Sequence, residues 1–251
     1  MKALKGYERM RIFASQLITF LFLLGIGTNV FATTLLYDDF EDGNNDGWTT
    51  TVGSWDVQSG VNRNTGLFNY KGDPGGYAYT YAGDPLWADY LYSVDVTFGT
   101  NVTEFYVGVR ADINSVTNDP VGGNQYLVSL SAHDNRTRLR YYIGETWENI
   151  QITSFTFNEQ QTYNVKVLMV GNHITSWIDD ALFFDYVFSG SDPIYSNGVI
   201  GLGYKSNEGV DGAYFDNVLV SSVQPVPEPS SLLLLLTGIS GIGYVRFRKK
   251  K

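Results

Sequence analysis

The chain has 251 residues, 43% of them hydrophobic and 15% aromatic, with a formal net charge of −9 and no cysteine. The lack of cysteine excludes disulfides and thiolate chemistry. Residues 33–223 carry eight Lys and Arg against 24 Asp and Glu, a net of −16, a field that repels nucleic acid and anionic membrane surfaces and suits divalent cations and neutral ligands.

The N-terminus places Lys2, Lys5, Arg9 and Arg11 before a mostly apolar run, Ile12 to Ile26, and Val30-Phe31-Ala32 after it. That order predicts a secretory signal peptide over residues 1–32, cleaved after Ala32. Residues 33–223 then form one domain, large enough for a single core. Near its start, Asp42-Gly43-Asn44-Asn45-Asp46-Gly47 fits the first half of a calcium loop. The twelfth position is Gly53, where a bidentate Glu belongs, and no helix follows, so a polar surface turn is the better reading. Trp48 and Trp55 are expected in the core.

Period-two alternation then dominates. Tyr92, Val94, Val96 and Phe98 alternate with Ser93, Asp95 and Thr97. Phe105, Val107 and Val109 alternate with Tyr106, Gly108 and Arg110. The same pattern returns at Tyr126, Val128 and Leu130, and at Tyr163, Val165, Val167 and Met169. With turn residues at Asp73-Pro74-Gly75-Gly76, Gly122-Gly123-Asn124, Gly171-Asn172 and Asn197-Gly198, this predicts an all-β domain of short strands in a two-sheet sandwich.

Catalytic signals are weak. Glu145 and Glu148 flank Trp147 in an expected loop, and surface solvation explains them. Asp179-Asp180 are adjacent and read as a hairpin turn. His133 and His173 have no Ser or Cys partner suggested by spacing. Binding signals are stronger, because sugar rings stack on aromatic faces and polar side chains bond their hydroxyls. The residues out of phase with the core are Tyr106, Arg110, Trp177 and, less directly, Arg140. Together with Trp147 they suggest a glycan-binding face.

The C-terminus reads Val226-Pro227-Glu228-Pro229, then an uncharged stretch from Ser230 to Val245, then Arg246, Arg248 and Lys249 to Lys251. About 24 Å of helix predicts a minimal transmembrane span with the basic end cytoplasmic. This order resembles the PEP-CTERM sorting signal of Gram-negative bacteria, with residues 224–251 as the sorting segment. The resemblance implies recognition by an exosortase, transient membrane anchoring, and association with the cell surface or with exopolysaccharide matrix.

The domain's motif order also carries a resemblance. It runs from Asp38-Asp39-Phe40-Glu41-Asp42-Gly43 through Tyr106-Val107-Gly108-Val109-Arg110 and Trp177-Ile178-Asp179-Asp180 to Gly198-Val199-Ile200-Gly201-Leu202 and Phe215-Asp216-Asn217-Val218. It resembles the concanavalin A-like lectin/glucanase jelly roll, in its laminin-G-like and 3-keto-disaccharide-hydrolase-like branch. The resemblance implies that the first and last strands are neighbours and that Asp39 and Asp216 hold a structural Ca²⁺; capping of turns by these acids is the alternative. The paired-acid pattern E-x-D-x-x-E of glucanases is absent. The favoured reading is therefore an exported glycan-binding module. A saccharide hydrolase and a structural or adhesive matrix protein are the alternatives.

Overall fold

The run from Tyr90 to Thr97 shows how the pattern becomes structure. As a strand it sends Tyr92, Val94 and Val96 into the core, fully buried, and leaves Ser93 and Asp95 half-buried on the other face, as a side-chain period of two requires. The computed structural model describes residues 32–53, 55–58, 66–69, 76–99, 102–115, 123–206 and 213–223. All of these fall within one unit, Ala32–Pro227.

Fifteen strands occur among the described residues, in two antiparallel sheets. The first sheet contains β1 (Thr34–Asp38), β3 (Trp55–Gln58), β4 (Gly66–Asn69), β6 (Tyr90–Thr97), β11 (Thr162–Val170), β12 (His173–Ile178), β13 (Ala181–Val187) and β15 (Tyr214–Ser222). Its order is β13-β12-β11-β6-β15-β4-β3, with β1 also paired to β15. The second sheet contains β2 (Trp48–Val52), β5 (Tyr77–Ala82), β7 (Val102–Asp112), β8 (Asn124–Ser131), β9 (Arg136–Ile143), β10 (Thr146–Ser154) and β14 (Val199–Ser206). Its order is β10-β9-β8-β7-β14-β5-β2.

The main core lies between the sheets. Val94, Val96, Val165, Val167 and Phe215 from the first meet Phe105, Val107, Val128, Leu130 and Leu202 from the second. Edge-to-face aromatic pairs such as Phe98–Phe105 and Phe105–Phe215 fill its centre. Trp48 and Trp55 pack against this core, as their positions suggested. Asp179 and Asp180 both have positive φ in the two-residue turn between β12 and β13, the geometry that suits the right-handed twist of a tight hairpin.

The expected transmembrane helix is not part of this fold. No helix among the described residues is long and apolar enough to cross a membrane, and the expectation rested on residues 224–251, which lie outside the described ones. The two-sheet sandwich of the described residues therefore contains no spanning helix, and it gives transient membrane anchoring no support. The expected signal peptide and the turn at Asp73-Pro74-Gly75 likewise lie outside the described residues.

Candidate functional site

The middle strands of the second sheet are buried on both faces, while its edge strands β10 and β2 are largely exposed. Its inner face holds Phe105, Val107, Val128 and Leu202, and its outer face carries a separate cluster of Tyr79, Tyr81, Tyr106, Leu127 and Tyr142. Register explains which residues share this outer face. Tyr79, Gly203, Tyr106, Ser129 and Arg138 form one cross-strand row, and Tyr77, Lys205, Glu104 and Ser131 the next.

Glycine shapes this face. A Cβ on Gly108, Gly201 or Gly203 would stand 2.2, 2.6 or 2.3 Å from the Tyr79 side chain, so only glycine lets that ring lie flat across β14 and β7. The Tyr79 hydroxyl donates to Gln125 Oε1 at 3.0 Å. The neighbouring rings of Tyr77 and Tyr106 stack at 6.4 Å with planes 20° apart.

Beside these tyrosines lies a polar cleft of about 220 Å³, whose lining includes Glu104, His133, Asp134, Arg138, Arg140 and Lys205. Glu104 is its hub. Oε1 lies 3.0 Å from Arg140 Nη1 and 3.6 Å from Arg138 Nη1, and Oε2 accepts from the Tyr106 hydroxyl at 3.0 Å. Arg138 also pairs with Asp134. Burial would raise the Asp134 carboxyl, but the Ser131 hydroxyl and Arg138 outweigh it and hold the group below its usual value. Burial pushes the Tyr106 phenol well above its ordinary value, so it stays neutral. Lys205 Nζ sits 5.2 Å from the Tyr77 ring centroid, and Arg140 sits 4.7 Å from that of Trp147.

The structure brings two of the four expected binding residues to this face and puts two elsewhere. Tyr106 lies on it as the alternation implied. Trp147 lies there too, about half exposed, though as a strand residue of β10 paired with Tyr142 rather than in a loop. Arg110 is buried at 1% exposure. Its backbone has φ 50° and the pairing of β7 slips between Val109 and Asp112. This bulge breaks the period of two that had placed Arg110 beside Tyr106. Its guanidinium instead donates to the carbonyls of Ala88, Gly171 and Tyr195 and pairs with Asp89. Trp177 is on β12 of the other sheet, opposite Lys166 and Leu182.

Glu104, Arg138, Tyr77 and Lys205 escaped the sequence reading. The usable signal was Arg136-x-Arg138-x-Arg140 and Tyr77-x-Tyr79-x-Tyr81, each a period-two row on one face of a strand.

The remaining expectations resolve locally. Asp42 and Asn44 accept from the backbone amides of Asn44 and Asp46, so the loop is the surface turn expected. Glu148 accepts from Tyr141, placing it on the face of β10 opposite Trp147. β1 pairs with β15, and the charges of Asp95, Glu41 and Asp39, added to burial, push Asp216 up to about 6. Asp39 and Asp216 are thus neighbours in charge. Their oxygens accept from Tyr37, the Glu41 amide and the Asn217 amide. Among the described residues no group of three or more His, Cys, Asp or Glu could hold a metal. The two carboxylates alone would supply at most about four of the roughly 6–8 oxygens calcium takes, and the backbone carbonyl that the resemblance implies beside them is not identified.

A family model, the PEP-CTERM protein-sorting motif, matches residues 225–250. The chain therefore carries this sorting motif, on Val226, Pro227, Glu228, Pro229, Arg246 and Arg248 among others. No curated protein matches in sequence. Among solved structures, a Bacillus subtilis protein of unknown function with a galectin-like fold is 11% identical, covering 76% of this chain and 98% of its own, at TM-score 0.57. The carbohydrate-binding module CBM66 from Bacillus subtilis is 20% identical over 70% of this chain and 96% of its own, at TM-score 0.53. The exoplasmic/lumenal domain of VIP36, in a Ca²⁺/Man3GlcNAc-bound form, is 13% identical over 70% and 87%, at TM-score 0.51. These likenesses establish the lectin-like jelly-roll fold.

Proposed function

We propose that this is an exported glycan-binding protein whose ligand lies on the outer face of the seven-stranded sheet. The observation that carries the reading is the partly exposed Tyr77 ring, backed by buried Tyr106, and half-exposed Trp147 around a cleft of charged side chains on that face. Apolar sugar faces pack on such rings, and the hydroxyls find donors and acceptors at Arg138, Arg140 and Glu104. The solved relatives named as a carbohydrate-binding module and as a Man3GlcNAc complex support the class of ligand without identifying it. Fold alone does not give function; the side chains on this face do.

Export begins with cleavage of the N-terminal signal peptide after Ala32. Recognition of the Pro227-Glu228-Pro229 motif by an exosortase then directs the protein to the cell surface or the extracellular matrix, where exopolysaccharide is at hand. Glycan recognition on this face runs without calcium, since Asp39 follows β1 and Asp216 lies on β15, both of the other sheet. Screening the purified chain on a glycan array, with and without chelator, tests this. Binding that survives chelation is the expected result. A blank array would leave the protein a structural matrix component.

A further inference from the structure

The cleft has a charge that the domain does not. Residues 33–223 carry a net of −16, yet three of their eight basic residues, Arg138, Arg140 and Lys205, line this one cleft against only Glu104 and Asp134. At long range the domain repels an anion, so the local surplus of positive charge acts only at contact distance.

The donors are not used up. A guanidinium has five N–H groups. Among the described residues, Arg140 uses Nε on Asn149 and Nη1 on Glu104, and Arg138 uses Nη1 on Glu104 and Nη2 on Asp134. That leaves Arg140 Nη2 and Arg138 Nε. The Lys205 ammonium sits over the Tyr77 ring at the cleft.

We propose that the cleft takes a carboxylate-bearing sugar, a hexuronate unit of an acidic polysaccharide. Lys205 and the spare N–H groups of Arg138 and Arg140 meet the carboxylate with charge-assisted hydrogen bonds. The Tyr77 ring and half-exposed Trp147 carry the sugar faces. This inference rests on the glycan-binding reading and adds the ligand's charge to it.

The test is calorimetric titration of the full chain with three oligosaccharides of equal length: a hexuronate oligomer, its methyl ester, and a neutral hexose oligomer. Esterification is expected to weaken binding about tenfold or more. Lys205→Glu should weaken binding of the acid by a similar factor. Lys205→Met, which keeps the apolar stem over Tyr77, provides the same reading should the Glu variant melt early. Equal affinity for acid and ester, or an unchanged affinity in both Lys205 variants, overturns the inference. The neutral oligomer separates the two failures. If it still binds, the glycan face stands and only its acidic preference falls; if none of the three binds, both readings fall.

Discussion

The Arg140 guanidinium lies over the indole of Trp147, 4.7 Å from the ring centroid, while its Nη1 reaches Glu104 at 3.0 Å. One side chain thus joins the edge strand β10 to the middle of the sheet. It holds an otherwise half-exposed ring in place, which lowers the entropy lost when a ligand packs on it.

Trp147→Ala should therefore weaken glycan binding about tenfold or more and change stability little, since the ring is half exposed. Titration together with a thermal melt checks both halves. A large fall in Tm would show that the ring serves the fold rather than the ligand.

Arg110 gives the opposite expectation. It ties Ala88 and Asp89, Gly171 and Tyr195 to the bulge of β7. Arg110→Ala leaves buried carbonyls without donors and should cost about 3–5 kcal/mol. Denaturant unfolding measures this, and Arg110→Lys should recover only a small part, because one ammonium cannot span these carbonyls as a planar fork does.

These two residues show what was legible in the sequence. Alternation placed Tyr92, Val94, Val165 and Val167 in the core because an unbroken strand has a fixed period of two. It assigned Tyr106 to the face away from the main core for the same reason. It failed at Arg110 because a bulge adds one residue, and nothing in Val109-Arg110-Ala111 announces the positive φ. It could not separate Trp177, out of phase on its strand, from Trp147, expected in a loop, since only the pairing order shows that they sit on different sheets. Glu104 was invisible because its role comes from Arg138 and Arg140, more than thirty positions away.

Asp216 provides a pH test. Burial first, then the charges of Asp95, Glu41 and Asp39, push its carboxyl up to about 6 in the folded state, against roughly 3.9 unfolded. A group raised on folding contributes stability that is complete below the unfolded value and lost as pH rises through the folded one. The Tm of the native chain should therefore fall relative to Asp216→Asn between about pH 4 and 7. Parallel Tm curves for the two proteins would contradict the assignment.

Gly203→Ala tests the glycine floor. The new Cβ would meet the Tyr79 ring at 2.3 Å and the Ala78 carbonyl oxygen at 2.7 Å, and the backbone atom cannot step aside. The expected loss is about 1–3 kcal/mol by denaturant unfolding, with glycan affinity falling as Tyr79 is pushed toward Tyr106. An unchanged midpoint would show that the ring has room to move.

The most direct measurement compares glycan affinity in Trp147→Ala and Trp177→Ala, two exchanges of the same chemistry on opposite sheets. The outer face of the seven-stranded sheet being the binding surface, affinity is lost in the first and kept in the second. Loss in Trp177→Ala with retention in Trp147→Ala would put the ligand on the other sheet and contradict the account.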